Sequence, residues 1–205
     1  DVPALRAVAT DGHRLARVEV DLPDGAAGMP GVILPRKAVL ELKKLLEGVE
    51  GLVEVALSET KIRINVGATI LTSKLIDGTF PDYQRVIPEG NNKIMTIGGG
   101  VFAEAVDRVS TISSDKSRAI KLSLSSGKLV LSASSPDQGS ASEELSVDYE
   151  SDDLDIGFNS RYVLDMTEQV EGDSIRFEME DGASPTVVVD GDDLRTVYVL
   201  MPMRV

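Results

Sequence analysis

The 205-residue chain carries one histidine and no cysteine, and that inventory limits its chemistry before any motif is read. Without thiols there is no disulfide, no thiolate metal site and no cysteine nucleophile. A lone His13 excludes multi-histidine zinc sites and makes any Ser-His-Asp triad depend on that residue. His13 lies two residues beyond Asp11 in the run Thr10-Asp11-Gly12-His13. Read as catalytic, Asp11 and His13 would pair on a turn, but the sequence places no nucleophile or second base with them. Read structurally, the run is a tight hairpin turn, because Gly12 takes positive φ without steric cost. No motif for phosphate or metal accompanies it, and no cofactor is expected.

A second group of residues invites contact rather than catalysis. The chain ends Val197-Tyr198-Val199-Leu200-Met201-Pro202-Met203-Arg204-Val205. This begins as a strand, and Pro202 then removes a backbone donor and ends the ladder. Chain termini are usually polar and frayed, whereas this one carries two methionines and a valine. Such an end either packs as the close of a last strand or lines a groove, where flexible thioethers suit varied partners. Four basic residues, Arg36, Lys37, Lys43 and Lys44, form a third group on one predicted helix.

Those groups need elements to hold them. Residues 5–20 read as two strands around the Asp11-Gly12 turn. Leu34-Pro35 opens a helix with Pro35 in its first turn, and Val39, Leu42, Leu45 and Leu46 give its core stripe. Gly48 stops it, and strands follow over 52–57, 61–66 and 68–76. The order then repeats. The helix from Ala38 to Gly48 matches residues 162–172 at an offset of 124, and the same offset carries Leu5 onto Leu129 and Ala9 onto Ala133. Two independent elements at one offset imply a duplicated domain. The second copy starts near Lys93 with a strand and a helix over 101–112, whose apolar face is Phe102, Ala105, Val109 and Ile112. Strands over 174–180, 186–190 and 196–201 close it. The first copy lacks that opening strand and helix, so the chain is expected to begin inside a domain, as part of a longer protein.

The net charge of −13 argues against ordinary adhesion to nucleic acid. It is unevenly spread. Of 21 Lys and Arg and 34 Asp and Glu, residues 1–88 hold 11 and 12, leaving 10 and 22 for the remainder. The break falls at Phe80-Pro81-Asp82-Tyr83-Gln84-Arg85-Val86-Ile87-Pro88, bracketed by prolines, and domains over 1–82 and 83–205 are expected. No apolar run approaches ~18 residues and no signal peptide opens the chain, so the sequence reads as cytoplasmic and unattached to membrane.

Four motifs carry a resemblance that spans essentially the whole chain. Ala9-Thr10-Asp11-Gly12-His13-Arg14-Leu15-Ala16 resembles the signature turn of the bacterial β sliding-clamp family, the processivity subunit of DNA polymerase III. Phe80-Pro81-Asp82-Tyr83, Phe158-Asn159 with Arg161-Tyr162-Val163-Leu164-Asp165, and Met201-Pro202-Met203-Arg204 are similar to further family segments, in family order. The resemblance implies an α+β fold of duplicated clamp domains, each with two helices on antiparallel-rich sheets, the first copy truncated. The chain would be most of the middle domain and the whole third domain of a non-catalytic subunit. Six such domains in a head-to-tail homodimer form a ring around duplex DNA.

The resemblance also implies a hydrophobic peptide groove between the middle and third domains. Thr10, Gly12, His13, Arg14 and Leu15 would come from the turn, and Pro81, Arg85 and Val86 from the connector. Asn159 and Tyr162 would come from the last helix, with Ala183 near Ser184-Pro185. Val199, Met201, Pro202, Met203 and Arg204 would supply a movable tail wall. Family partners carry a short Gln-Leu-x-Leu-Phe-like motif: the polymerase catalytic subunit, the clamp loader, other polymerases and repair proteins. Arg36, Lys37, Lys43 and Lys44 would face DNA without sequence preference, or form a solvated face. Thr111 and Ile112 match dimer-contact positions, and without the first domain this chain is not expected to close a ring. Other roles stay open: Asn159 as a helix N-cap, Tyr162 as core, and the whole chain as a duplicated β-rich adaptor with no DNA role. Ala183, Ser117 and Val205 depart from residues common in the family, which bears on peptide selectivity.

Overall fold

The computed structural model describes residues 3–113 and 118–205, so Ser117 lies outside the described residues. In chain order the elements are β1 (Ala4–Thr10), β2 (Arg14–Asp21), α1 (Arg36–Leu46), β3 (Glu54–Leu57), β4 (Lys61–Val66) and β5 (Thr69–Lys74). A 3-10 turn at Tyr83–Arg85 leads to β6 (Lys93–Gly98), α2 (Gly99–Ser110), β7 (Ala119–Ser125), β8 (Lys128–Ser135) and β9 (Gly139–Ser146). The chain closes with β10 (Leu154–Asn159), α3 (Ser160–Thr167), β11 (Ser174–Met179), β12 (Thr186–Asp190) and β13 (Asp193–Leu200). The repeat is visible in the starts: β8 at Lys128, α3 at Ser160 and β13 at Asp193 each begin 124 residues after β1, α1 and β5.

Two compact units result. The smaller, Ala26–Asp82, holds α1 and the antiparallel sheet β3-β4-β5. Alternation along β4 buries Ile62, Ile64 and Val66. Leu34, Leu42, Leu57, Leu71 and Leu75 pack against them. Gly48, at φ +72, ends α1 in a conformation that costs glycine nothing. The expected helix stripe is narrower here than its sequence suggests. Leu42 meets the sheet, but Val39 is 47% and Leu46 37% exposed, and no residue of α1 is buried. Three short strands cover only one line of a helix. Pro35 also stands just ahead of the helix, as its N-cap, rather than within the first turn.

The larger unit contains the remaining described residues, 3–25, 83–113 and 118–205. Its six-stranded antiparallel sheet runs β1-β2-β13-β12-β11-β6, and a four-stranded sheet runs β10-β7-β8-β9. The first hairpin therefore joins this unit through the pairing of β2 with β13, in which Leu15 faces Val199 and Arg14 faces Leu200. The helices α2 and α3 pack on one another and on the strands. Phe102, Phe177, Met95, Leu122, Leu129, Leu131, Phe158 and Val163 are fully enclosed in the shared core. Phe102 meets Phe177 edge-on, with centroids 5.2 Å apart. Burying each large side chain is worth about 1.5–3 kcal/mol.

Two sequence boundaries move. The helix expected over 101–112 spans Gly99–Ser110 and buries Val106 beside Phe102, Ala105 and Val109, while Ile112 lies beyond its end. The helical stretch expected over 162–172 is α3, Ser160–Thr167, after which the chain turns through Val170. On β12, Val188 faces the main core while Val187 and Val189 face the other way, where Val197 and Ile87 cover them. Ile87 thereby docks on the outer face of the large sheet.

Candidate functional site

The β1–β2 turn is built by its own side chains. Thr10 Oγ1 accepts from the Gly12 amide at 3.1 Å and donates to the Arg14 carbonyl at 2.8 Å. Asp11 Oδ1 accepts from the amides of His13 and Arg14, both at 3.0 Å. Gly12 sits at φ +85, which an L side chain rarely adopts. Burial pushes the Asp11 carboxyl up, but the His13 and Arg14 amides and the Arg14 guanidinium together hold it below the usual value. Asp11 is thus committed to the turn, which leaves the catalytic reading of Asp11 with His13 without support.

Arg14 ties the turn to α3. Its Nη1 donates to Asp165 Oδ2 at 2.7 Å and its Nε to Asp11 Oδ2 at 3.1 Å, while its Cζ lies 4.3 Å from the centroid of the Tyr162 ring. Burial works against the guanidinium charge, and the two carboxylates more than offset it, so its pKa is raised. The His13 ring stacks with Tyr162 at a centroid distance of 6.4 Å. Tyr162 is half-buried and packs on the main core. Asn159 caps α3, its side chain accepting from the Arg161 amide at 3.0 Å, so its structural role is realised.

The tail crosses this assembly. The Met201 amide donates to the His13 carbonyl at 2.9 Å, and the Met203 amide to the Gly157 carbonyl on β10 at 2.8 Å. Met201 is 38% exposed, Pro202 and Met203 are half-buried, and Arg204 is exposed. The tail expected to be a movable wall is therefore tethered at two points, because Pro202 separates two residues whose amides both find acceptors. Leu15 and Val199, expected as walls, are 4% and 1% exposed. They face one another across the sheet and lie beneath the surface residues.

The other expected positions lie on further segments. Val86 is exposed, its amide donating to the Tyr83 carbonyl at 3.0 Å, and Arg85 ends the 3-10 turn before Ile87 docks on the sheet. Ala183 is exposed on a turn whose Asp181 Oδ1 accepts from its amide at 2.8 Å. Pro81 belongs to the smaller unit. The structure therefore gathers turn, α3 and tail, while sequence reasoning missed Asp165 and Gly157. A glycine inside the apolar strand Leu154–Asn159 was the available signal for the second; Asp165 stood within the Arg161-Tyr162-Val163-Leu164-Asp165 motif, but nothing there pointed to Arg14 as its partner.

In the smaller unit Arg36, Lys37, Lys43 and Lys44 are all exposed on α1 and, with Leu40, Glu41 and Glu47, line an open concavity of about 450 Å³. Lys44 Nζ donates to Glu41 Oε1 at 3.2 Å, which tempers the basic face. Thr111 caps α2, donating from Oγ1 to the Arg108 carbonyl at 2.7 Å, and Ile112 follows half-buried. Among the described residues no cluster of three or more His, Asp or Glu could hold a metal ion, and no helix is long and apolar enough to cross a membrane.

Comparison with known proteins agrees with this architecture. The beta sliding clamp of Caulobacter vibrioides strain NA1000 is 51% identical over 201 residues, covering 98% of this chain and 54% of that protein. The clamp of Pseudomonas aeruginosa is 42% identical over 200 residues, covering 98% and 54%. A solved DnaN sliding clamp from Bartonella birtlesii, bound to griselimycin, superposes with a TM-score of 0.95 at 53% identity, covering 98% of this chain and 55% of that one. A Caulobacter crescentus clamp structure gives 0.92 at 50% identity, covering 98% and 54%. The chain spans about half the length of these relatives. Residues 2–82 match the DNA polymerase III beta subunit central domain and residues 84–204 its C-terminal domain. The chain is accordingly a member of the DNA polymerase III beta subunit family and covers the family's central and C-terminal domains.

Proposed function

We propose that this chain supplies the partner-binding part of a replication processivity clamp. Residues 1–82 are read as most of a middle clamp domain and 83–205 as a complete third domain. The proposed groove takes a short extended peptide of the Gln-Leu-x-Leu-Phe type. One observation carries this reading: the Met201 amide bonds to the His13 carbonyl, which closes the apolar tail on the Arg14–Tyr162 pair. Three segments distant in sequence thereby present apolar surface and aromatic faces together, beside backbone groups that suit an extended ligand. Two apolar anchors, each worth about 1.5–3 kcal/mol before the cost of ordering the peptide, supply up to about 6 of the roughly 8 kcal/mol that micromolar affinity needs, and backbone and aromatic contacts are left to supply the rest. That strength lets partners exchange: the polymerase catalytic subunit, the clamp loader, and other polymerases and repair proteins of the bacterial cytoplasm.

In the same reading the clamp encircles duplex DNA as a head-to-tail homodimer, with Thr111 and Ile112 at the dimer contact. Topological holding needs little phosphate affinity, so a net charge of −13 is compatible with Arg36, Lys37, Lys43 and Lys44 facing the duplex. Fluorescence polarisation with a labelled Gln-Leu-Ala-Leu-Phe peptide tests the groove. The intact chain should bind with a Kd on the order of micromolar, and a chain truncated after Met201 at least about tenfold more weakly. Equal binding by both, or none by the intact chain, would count against the groove.

A further inference from the structure

The tail is seated by a residue outside the turn, α3 and tail. Gly157 lies buried in β10, an edge strand whose other side pairs with β7, Gly157 facing Lys121. On the open side an isolated antiparallel bridge joins Gly157 to Met203. A Cβ at position 157 would stand 2.7 Å from the Met203 carbonyl oxygen and would overlap both methyl groups of Val205. The Val205 side chain can turn away, but a backbone carbonyl cannot move without carrying the tail with it. The φ of Gly157 is outside the left-handed region, so the backbone itself would accept alanine. Glycine is needed here for space.

The seat has consequences one residue at a time. Met203 is held to β10 and Met201 to the His13 carbonyl, with Pro202 between them lacking an N–H. The chain thus leaves the six-stranded sheet at Leu200 and docks on the four-stranded one at Gly157. Lifting Met203 off β10 would loosen Met201 as well, because a single residue separates the two anchors. We propose that Gly157 is a positioning residue for peptide recognition: its missing Cβ seats the C-terminal tail on the β10 edge and sets the wall that Met201, Pro202 and Met203 form. This rests on the groove reading above.

The test is Gly157→Ala in the whole chain, read by residue-resolved amide exchange and by polarisation with the Gln-Leu-Ala-Leu-Phe peptide. The Met203 amide should exchange at least about tenfold faster and the peptide should bind about tenfold more weakly, while the β7–β10 ladder keeps its protection. Unchanged protection of Met203 would overturn the proposal, and so would a released tail with peptide affinity within about twofold of the original. A parent chain that ignores the peptide would sink the groove reading, and the exchange arm would then still decide whether Gly157 seats the tail. Should Gly157→Ala fail to fold, Met203→Pro removes the donor and leaves β10 untouched. Faster exchange at Met201 in that variant supports the seat, and unchanged exchange there overturns it.

Discussion

Arg14 spends one guanidinium on three neighbours: Asp165, Asp11 and the face of Tyr162. Its side chain and that of Asp165 are 33% and 42% exposed, so the ion pair adds only about 0–1 kcal/mol. Its larger effect is to fix the Tyr162 ring and the turn in one arrangement. Asp11 does the same from within the turn, and its pKa is displaced downward in the fold. A carboxyl whose folded pKa lies below its unfolded one contributes stability above the unfolded pKa, about 3.9 for Asp, and loses it as pH falls through the folded value. An NMR titration of the Asp11 carboxyl should therefore find a midpoint below that of an unfolded Asp, with the His13 and Arg14 amide signals, from which it accepts, shifting together. A midpoint at or above the unfolded value would contradict the hydrogen-bonded turn. The turn itself was legible in Thr10-Asp11-Gly12-His13, since its geometry is local. The Arg14–Asp165 pair was not, because it joins residues 151 apart in sequence.

At the scale of elements, periodicity and turn signals marked the three helices and most strands, whereas β7, β9 and β10 were not named from the sequence, and errors arose where tertiary cover decided burial. The α1 pattern marked Val39, Leu42, Leu45 and Leu46 as one stripe, yet only the line through Leu42 meets β4. Ile64→Ala should therefore cost about 2–4 kcal/mol of the smaller unit's stability in denaturant unfolding, by opening a cavity beneath Leu42. Val39→Ser should fall within about 0.5 kcal/mol. A larger loss from Val39→Ser than from Ile64→Ala would mean that the helix packs through another face. The pairing of β2 with β13 was equally hidden. β13 ends in a continuous apolar run, buried on both faces from Val197 to Leu200, and no hydrophobic pattern says which partner a strand takes. Likewise the apolar tail was legible as an anomaly, while its tethers were not, since both acceptors are backbone carbonyls, of His13 and Gly157.

Over the whole molecule, the 124-residue repeat and the charge break were readable because they need no contact information, and the repeat reappears in the starts of β8, α3 and β13. The proposed division of labour puts peptide recognition on the larger unit and DNA contact on α1 of the smaller. Lys43→Ala combined with Lys44→Ala should weaken DNA retention in a reconstituted full-length clamp and reduce its salt slope by up to about 4, two lysines from each protomer, with peptide affinity unchanged. Equal loss of both activities would count against that division. The groove is the central claim, and mapping by heteronuclear NMR tests it most directly. Titrating the isotope-labelled chain with the Gln-Leu-Ala-Leu-Phe peptide should perturb His13, Arg14, Tyr162 and the amides of Met201 and Met203 at micromolar concentrations. The signals of α1 and β3–β5 should stay in place. Perturbations centred on α1 or the β3–β5 sheet, or none at all, would contradict the account.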